Sequence, residues 1–333
     1  MINLTQEEIM QTWGVDNSDT PLVSVKCMTF NHENYIAQAL DGFLMQKTTF
    51  PFEVLVHDDA STDKTADIVR EYEAKFPKIV KGIYETENQW SKPEPRLHHK
   101  KIDAAIKGKY IAFCEGDDYW IDENKLQMQV DCMENNTQFG IVYTFAQTFY
   151  QENKRMAHNK IGRPFISYAD VFVNGNCIPT LTTCIKTSLY FKYLEELPTD
   201  EIKKWKMGDL PLCLWFIKNS NIFLIPKVTS VYRVLKESAS HSEDESKIQS
   251  FKQSSLDIRE FFARKYNDYE LLEQYKIGEN LDIAWKKKQR EEFLKLYKDF
   301  NYPNKVIKIK KQIFSNIFLY KIFLIIRQQK KVK

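Results

Sequence analysis

The sequence predicts an α/β protein in which a mainly parallel, Rossmann-like central sheet is flanked by helices, with a helical appendage towards the C-terminus. Two observations support this fold class. From Pro21 to about Tyr150, short apolar runs alternate with longer segments whose apolar residues recur at helical spacing, as in βαβ units. From about residue 246 to residue 300, the chain instead shows long helical patterns rich in Lys, Glu and aromatic residues.

The N-terminal half carries the strand and helix patterns in regular alternation. We predict strands at 22–30, 52–58, 79–84, 110–114 and 140–150. We predict helices between them at about 34–46, 62–76, 97–107 and 122–134. Because such strands are joined by helical crossovers, neighbouring strands should run parallel and both faces of the sheet should be covered.

The sequence beyond residue 150 is less regular. It predicts strands at 180–188 and 221–234, with a helix at 208–219 between them. The polar, serine-rich segment 235–247 has the composition of a linker. This linker separates the α/β half from the helical appendage.

The C-terminal segment differs from the rest of the chain in charge. From Pro303 to Lys333 it contains nine Lys and Arg residues and no Asp or Glu, whereas the remainder carries more acidic than basic side chains. Its apolar block, Ile313 to Ile326, is shorter than the roughly 18 residues of a membrane span. We predict a main domain at 1–240, a helical appendage at 246–302 and a basic, apolar tail at 303–333.

Two interpretations of the tail remain open. It could lie in the interface of an anionic membrane, where acidic lipids attract the basic flanks. Alternatively, it could be a terminal helix docked on the body of the protein. A role in nucleic-acid binding is disfavoured, because the lysines flank Ile, Phe and Leu rather than forming a polar basic face.

The composition is that of an ordinary globular protein. The 333 residues are 43% hydrophobic and 14% aromatic, which argues against disorder. The six cysteines form no C-x-x-C pair, so we expect free thiols in a reducing compartment rather than disulfides or a zinc site. The acidic, polar N-terminus does not resemble a signal peptide, and we expect a cytoplasmic protein.

Acidic residues follow two of the predicted parallel strands. The second strand leads into Asp58 and Asp59, and the fourth leads into Glu115, Asp117 and Asp118. Ligands of open parallel sheets bind beyond the carboxyl ends of the strands. A helix N-cap would explain Ser61, Thr62 and Asp63, but it does not explain Asp58 and Asp59, which precede the cap at the strand end. A solvated acidic turn would explain the second cluster by itself, but two clusters at one edge favour a binding site.

Clustered carboxylates repel one another, and a bound cation would relieve that repulsion. Carboxylate oxygens suit hard cations such as Mg²⁺ or Mn²⁺, which also bind phosphate oxygens. The ten glycines are scattered, so the glycine-rich phosphate loops of dinucleotide-binding proteins and P-loop kinases are absent. The residues therefore predict a site for a metal and a diphosphate.

Three segments of the chain resemble the family 2 glycosyltransferases, inverting enzymes with the GT-A fold, and in particular bacterial members that build surface polysaccharides. The segments are 21–46, 52–69 and 108–131, and they follow one another at the family's spacing. The resemblance implies transfer of a sugar from a UDP-linked or related nucleotide-diphospho-sugar to a glycan or lipid-linked acceptor. It also implies Mn²⁺ or Mg²⁺ as cofactor. A lipid-linked acceptor would fit attachment of a cytoplasmic protein to the inner face of the cell membrane through the tail.

The resemblance gives the carboxylates after the fourth strand separate roles. Glu115-Gly116-Asp117 falls on the family's acid–x–acid signature, with Asp117 as the direct metal ligand. Glu115 stands where the family usually has Asp, and it is expected to reach a ribose hydroxyl of the donor or the metal. Asp118 is expected to be a second metal ligand or to support the first.

The resemblance also implies donor contacts elsewhere. Asp58 and Asp59 match the acids that contact the base and ribose of the donor, with Thr29 beside them at the end of the first strand. Arg233 is either a group that neutralises the leaving diphosphate or a member of a structural ion pair.

Relatives often read Tyr-Arg-x-His at the end of the strand that contains Arg233. This chain has Leu235 in the position of that His. The role of the His is therefore absent here, or it is supplied by Lys236 or His241.

Asp209 matches the catalytic base of the family, an acid at the start of a helix in the second half. An inverting transfer deprotonates the acceptor hydroxyl as it attacks, and a positioned carboxylate is a suitable base. As an isolated residue, Asp209 would instead be read as a helix N-cap before Pro211.

Two other functions remain open from the sequence. A sugar-phosphate nucleotidyltransferase would normally carry a glycine-rich phosphate loop near its N-terminus, and none is seen. A non-catalytic relative that binds sugar nucleotide would tolerate loss of Asp117 or Asp209, yet both positions are acidic.

Overall fold

A computed structural model of the chain describes residues 3–14, 20–92, 97–197, 199–202, 205–236 and 244–329. The contacts divide the chain into two compact units. Unit 1 comprises Met1–Phe165 and Cys177–Ser255, and unit 2 comprises Ile166–Asn176 and Leu256–Lys333. The domain boundaries suggested by the sequence remain predictions, and His241 lies outside the described residues.

Unit 1 is built on one mixed sheet of nine strands within the described residues. The strands are β1 Val23–Thr29, β2 Phe52–Asp58, β3 Val80–Tyr84, β4 Tyr110–Phe113, β5 Tyr119–Trp120, β6 Phe139–Tyr150, β7 Arg155–Ile161, β8 Cys184–Lys186 and β9 Asn221–Val234. Their order is β3-β2-β1-β4-β8-β6-β9-β5. Strand β7 lies outside this order and pairs with β6.

The helices flank this sheet or form the second unit. They are α1 Gln6–Met10, α2 Ile36–Leu44, α3 Thr65–Lys75, α4 Leu97–Ala105, α5 Lys125–Asn135, α6 Tyr168–Asn174, α7 Thr187–Glu196, α8 Thr199–Ile202, α9 Asp209–Asn219, α10 Glu245–Tyr266, α11 Tyr269–Lys286, α12 Arg290–Lys298, α13 Lys305–Ser315 and α14 Ile317–Gln329. None of the described helices is long and apolar enough to cross a membrane.

The first half of the sheet is parallel, as the alternating pattern predicted. Strands β3, β2, β1 and β4 are parallel neighbours, whereas β8 runs antiparallel between β4 and β6. Strands β6 and β9 form a further parallel pair. The predicted α/β class, with a mainly parallel sheet flanked by helices and further helices towards the C-terminus, is confirmed.

Strands β1 and β2 lie inside the parallel half of the sheet, between β3 and β4, and their composition suits that position. Val23, Val25 and Cys27 of β1 are completely buried, as are Val54 and Val56 of β2. Ser24 and Lys26, on the other face of β1, are buried as well, as expected for a parallel strand that is covered on both faces. The six cysteines all lie among the described residues and form no disulfide, as the sequence suggested.

The region around residues 180–188 differs from the predicted strand. A short 3-10 helix at Thr180–Thr182 comes first, β8 contains only three residues, and α7 begins at Thr187. The Thr187 hydroxyl donates a hydrogen bond to the carbonyl oxygen of Gly108 at 2.6 Å, which fixes the point where the strand turns into the helix. The strands β5 and β7 were not predicted.

In unit 2, α13 and α14 divide the predicted apolar block of the tail at Asn316. The side-chain oxygen of Asn316 accepts hydrogen bonds from the backbone N–H groups of Phe318 and Leu319, at 2.9 and 3.2 Å. This is the hydrogen bonding of an N-cap, which satisfies donors at the start of a helix. The apolar block therefore contains the end of α13 and the beginning of α14.

Candidate active site

The carboxyl ends of β1, β2 and β4 meet at one edge of the sheet in unit 1. Thr29 at the end of β1 is in register with Asp58 at the end of β2. The loop after β4 continues beside β1, because the Gly116 N–H donates to the Met28 carbonyl oxygen at 2.9 Å. The structure thus brings Thr29, Asp58 and the acidic loop 115–118 together, as the parallel arrangement predicted.

Gly116 is the point of closest approach between the acidic loop and the end of β1. A Cβ atom at this position would lie 2.6 Å from the Thr29 hydroxyl oxygen and 3.0 Å from His32 Nδ1. Both distances are shorter than ordinary van der Waals contacts. A glycine is therefore required here for the loop to pack against β1.

Two buried polar atoms at this contact have no hydrogen-bond partner within the described part of the chain. They are the Thr29 hydroxyl oxygen and His32 Nδ1. Buried polar groups nearly always have a hydrogen-bond partner. Two such atoms without a partner at a strand end are typical of a site that receives a ligand. The sequence analysis did not identify His32 as a site residue; its position three residues after Thr29 was the available signal.

The carboxylates of the acidic loop are close enough to repel one another. Burial raises the pKa of Asp118 well above its usual range, and the neighbouring Asp117 and Glu115 carboxylates raise it further. Burial likewise raises the pKa of Glu115 to about 7, with additional repulsion from Asp117 and Asp209. The site therefore carries more negative charge than the protein neutralises, which is the electrostatic environment that a cation would stabilise.

Asp209 is brought towards the acidic loop even though it is far away in sequence, since its charge acts on Glu115. It is the first residue of α9, and the N-cap position is taken by Gly208. Asp209 is thus not the cap residue that the isolated sequence pattern suggested. Its carboxylate lies at a helix N-terminus, where the helix dipole favours a negative charge.

Arg233, near the end of β9, holds the acidic loop in place. Its backbone N–H donates to Asp118 Oδ1 and its Nε donates to the Asp117 carbonyl oxygen, both at 2.7 Å. The two other guanidinium nitrogens donate to the side-chain oxygens of Gln151 and Gln38, at 2.7 and 2.6 Å. Of the two roles left open from the sequence, this arrangement favours the structural one, although the partners are amides and carbonyls rather than an ion pair.

Aromatic rings complete the surroundings of the Arg233 side chain, which is buried. Its guanidinium carbon lies 4.8 Å from the ring centre of Tyr35, 5.0 Å from that of Tyr119 and 5.6 Å from that of Phe149. Tyr119 belongs to β5, which pairs antiparallel with β9 directly before Arg233. Strand β5, which was not predicted, directly follows the acidic loop, and its pairing with β9 holds the loop beside Arg233.

Asp58 and Asp59 are both buried and both accept hydrogen bonds from the protein. Asp58 accepts from the hydroxyl and the backbone N–H of Ser61, at 2.5 and 3.1 Å. The two oxygens of Asp59 accept from the backbone N–H groups of Gln89 and Trp90, at 2.7 and 3.0 Å. Asp59 thereby fixes the loop that presents the exposed Trp90 at this edge of the sheet.

Among the described residues directly after Arg233, none is a histidine at the position where relatives carry one. Leu235 is partly buried and Lys236 is exposed, directly after β9. His241 is not among the residues that the structure describes. Whether Lys236 or His241 takes over that role stays a prediction.

Among the described residues, no three His, Cys, Asp or Glu side chains form a closed metal-binding cluster. Mg²⁺ and Mn²⁺ bound together with a diphosphate need only one or two protein carboxylates, because phosphate and water oxygens supply the other ligands. Asp117, which is partly exposed, fits that requirement better than Asp118, whose buried carboxylate already accepts from the Arg233 backbone. The chemistry of the loop therefore fits a cation that arrives with its ligand.

Comparison with known protein families identifies the first half of the chain. The family model described as "Glycosyl transferase family 2" matches residues 24–197. The chain is 28% identical over 232 residues to an Escherichia coli protein named UDP-Glc:alpha-D-GlcNAc-diphosphoundecaprenol beta-1,3-glucosyltransferase WfgD, with 68% of this chain and 82% of that protein covered.

The chain spans a smaller share of other relatives. It is 36% identical over 133 residues to an uncharacterized protein of Mycobacterium tuberculosis, covering 40% of this chain and 37% of that protein. The chain thus spans well under half the length of the first curated relatives that it matches.

Two solved structures share the fold. Staphylococcus aureus TarS 1–349, in complex with UDP-GlcNAc, aligns over 74% of this chain and 72% of its own, with a TM-score of 0.52 and 19% identity. The mannosyltransferase PcManGT from Pyrobaculum calidifontis, in complex with GDP-Man and Mn²⁺, aligns over 95% of this chain and 92% of its own, with a TM-score of 0.50 and 16% identity. These neighbours confirm the GT-A fold.

Proposed function

Because this chain belongs to glycosyl transferase family 2, we propose that it transfers a sugar from a nucleotide-diphospho-sugar to an acceptor hydroxyl with inversion of configuration. The observation that carries the proposal is the convergence at one sheet edge of Asp58, Glu115, Asp117, Asp118 and Asp209. The carboxylates on the acidic loop suit a metal and a diphosphate, while Asp209 comes from another element and suits proton transfer.

We propose that the donor is a UDP-sugar that binds where β1 and β2 end. The names of the relatives support this choice, since WfgD is named for UDP-Glc and TarS has been crystallised with UDP-GlcNAc. In this chain, the buried Thr29 hydroxyl has no hydrogen-bond partner among the described residues, and it lies beside Asp58 at the end of β2. We propose that Asp58, Asp59 and Glu115 contact the base and ribose of the donor at this edge. GDP-linked donors are the alternative, because PcManGT binds GDP-Man.

We propose that Mn²⁺ or Mg²⁺ accompanies the donor and is held by Asp117, with Asp118 in support. Such a cation would neutralise the negative charge that develops on the diphosphate when its bond to the sugar breaks. Arg233 would then act as a positioning residue: it keeps Asp117 and Asp118 at the end of β4, and Gln38 and Gln151 keep Arg233 in place.

We propose that Asp209 is the catalytic base. Its carboxylate takes the proton of the acceptor hydroxyl as the acceptor oxygen forms a bond to the anomeric carbon. The bond between that carbon and the diphosphate oxygen breaks on the opposite face, which inverts the configuration. Asp209 is the first residue of α9, so this helix supplies the base from an element separate from the acidic loop.

We propose a glycan or lipid-linked acceptor in the synthesis of a bacterial surface polysaccharide, such as a capsule or lipopolysaccharide. This proposal rests on the names of relatives, since WfgD is named for a diphosphoundecaprenol-linked acceptor. A lipid-linked acceptor would place the protein in the cytoplasm, at the inner face of the cell membrane.

A screen of UDP-, GDP- and dTDP-sugars with the full chain tests the proposal. We expect one donor class to raise the melting temperature in the presence of Mn²⁺ and to be slowly hydrolysed. Binding without hydrolysis or transfer would identify a non-catalytic relative. Formation of a sugar nucleotide from a sugar phosphate and a nucleoside triphosphate would identify a nucleotidyltransferase. No response to any donor would contradict donor binding altogether.

A further inference from the structure

We propose that the exposed face of α13 and α14 binds the surface of an anionic phospholipid bilayer. This face, called the tail face below, consists of the exposed apolar side chains Val306, Ile309, Ile317, Phe318, Leu319 and Ile322. It belongs to unit 2. The inference does not depend on sugar transfer, because lipid binding is measured without donor or acceptor.

The opposite face of the same helices is already occupied within unit 2. Phe314 of α13 is buried, with its ring centre 4.6 Å from that of Trp285 and 5.0 Å from that of Phe293. Phe323 of α14 lies 4.4 Å from Trp285, and the Tyr320 hydroxyl donates to the Lys288 carbonyl oxygen at 3.0 Å. These contacts hold the helices on unit 2, so exposure of the tail face does not arise from undocked helices.

Two of the exposed apolar side chains of α14, Phe318 and Ile322, lie away from the packing contacts of this helix. Phe318 and Ile322 are four residues apart and therefore lie one above the other on the helix. At 100° per residue, they point away from Tyr320 and Phe323, which make the packing contacts. Phe318 is 71% exposed and Ile317 is 63% exposed. Soluble proteins rarely leave apolar side chains of this size together at the surface without a partner.

The charged side chains that α13 and α14 themselves contribute are all basic. Lys305 and Lys308 are exposed on α13 and Lys321 is exposed on α14, beside the apolar residues. The segment from Pro303 to Lys333 contains no Asp or Glu. Lysine side chains can lie along an apolar surface and extend their ammonium groups to lipid phosphates. An anionic bilayer satisfies both the apolar and the basic side chains.

The same charges distinguish a bilayer from a second copy of the chain. A symmetric dimer through the tail face would bring identical surfaces together, and would place lysines of the two copies against each other. Like charges held close together are destabilising. The bilayer surface offers the complementary negative charge instead, together with an apolar boundary into which an interfacial helix can sink by about 5–10 Å.

Vesicle sedimentation with the full chain tests the inference. We expect the protein to sediment with phosphatidylcholine vesicles that contain about a third of phosphatidylglycerol, and to bind far less to phosphatidylcholine alone, since basic residues are attracted to anionic lipid. The double variant Phe318→Ser/Ile322→Ser should lose most of this binding. Lys308→Gln/Lys321→Gln should weaken it by at least about tenfold, because each basic residue near the surface contributes roughly fivefold.

Ile248→Ser provides a matched control, because Ile248 is an exposed helical Ile of unit 1. It should bind vesicles as the unchanged protein does. The lysine variant alters only exposed side chains and therefore stays informative if the apolar variant fails to fold. Equal binding by all variants would overturn the proposal. So would a concentration-dependent dimer, detected by light scattering, that Phe318→Ser/Ile322→Ser converts to a monomer while vesicle binding is absent.

Discussion

The backbone N–H of Arg233 donates a hydrogen bond of 2.7 Å to the Asp118 carboxylate, although the two residues are more than a hundred positions apart in the chain. The Arg233 side chain makes a second bond to the same loop, at the Asp117 carbonyl oxygen. Strand β9 therefore holds the acidic loop from two sides. This pairing is what gives the end of β4 a fixed shape in which a cation and a diphosphate can be bound.

Replacing Arg233 should loosen the acidic loop. We expect Arg233→Lys to lower the free energy of unfolding by about 2–4 kcal/mol, because a lysine keeps the charge but cannot reproduce the fork of buried hydrogen bonds. Denaturant unfolding measures this effect. Donor binding should weaken as well, and we expect a larger loss for Mn²⁺-dependent binding than for binding without metal.

Arg155→Lys is the control for this substitution, because Arg155 is an exposed arginine beside a single tyrosine ring. It should change stability by less than about 0.5 kcal/mol. If Arg233→Lys behaves like Arg155→Lys, the network around Arg233 does not hold the loop.

Gly116→Ala should disrupt the contact between the loop and β1. The added methyl group would lie 2.6 Å from the Thr29 hydroxyl oxygen, so the loop or the strand end has to move. We expect donor binding to fall by at least about tenfold and the free energy of unfolding to fall by about 1–3 kcal/mol. Gly14→Ala, where a Cβ would meet no atom within 4 Å, serves as the control. If Gly116→Ala and Gly14→Ala have the same donor binding and stability, the close approach of the loop to β1 is not required.

The buried ion pair between Lys26 and Asp103 should be important for stability. Lys26 Nζ donates to Asp103 Oδ1, and the Tyr190 hydroxyl lies 2.9 Å from Lys26 Nζ and 3.0 Å from the same oxygen. Asp103→Leu would leave the lysine charge buried without its partner, which costs about 3–5 kcal/mol. Lys26→Met/Asp103→Leu should recover most of that loss. A double variant that is less stable than the single one would contradict this account.

The buried Lys125 should make the free energy of unfolding depend on pH. Burial lowers the pKa of Lys125 to about 8, while its Nζ donates to Gln129 Oε1 at 2.8 Å. Between about pH 8 and the unfolded value near 10.5, the unfolded chain binds the proton that the folded protein releases, so this group makes stability rise with pH. At pH 7 both states are protonated, and the full cost of the buried charge is present.

Lys125→Met should remove that contribution. We expect the variant to gain stability relative to the unchanged protein at pH 7 and to lose this advantage by about pH 10, as measured by urea unfolding at both values. Lys81→Met, at an exposed position on β3, should show no such difference between the two pH values. A stability difference for Lys125→Met that is the same at both pH values would contradict the assigned pKa.

Asp209→Asn should separate donor binding from transfer. The amide cannot accept the proton of the acceptor hydroxyl, so we expect turnover to fall by about 10²–10⁴-fold while the affinity for the donor stays within about threefold. Asp131→Asn, at an exposed position on α5, is the control and should retain turnover. Unchanged turnover of Asp209→Asn would refute its role as the base.

Periodicity and strand-end chemistry were sufficient to predict the parallel half of the fold. β2 and β9 begin and end at the predicted residues, and Asp58 and Asp117 lie at the predicted edge. These features are local: a buried strand is an apolar run, and its end is marked by the change to polar residues.

The arrangement that holds the acidic loop could not be predicted in the same way. β5 has only two residues, too few for any periodicity, and it forms only because β9 pairs with it. The contacts of Arg233 with Gln38 and Gln151 join three distant segments. A single sequence gives no signal for such pairings, because they depend on tertiary structure rather than on local pattern.

The central claim is that the acidic loop binds a nucleotide diphosphate through a cation held by Asp117. Calorimetric titration of UDP, with and without Mn²⁺, tests it most directly in the unchanged protein, Asp117→Asn and Asp131→Asn. The account predicts that Mn²⁺ tightens UDP binding by at least about tenfold in the unchanged protein and in Asp131→Asn, but not in Asp117→Asn. Mn²⁺-enhanced binding of the same size in Asp117→Asn would contradict it.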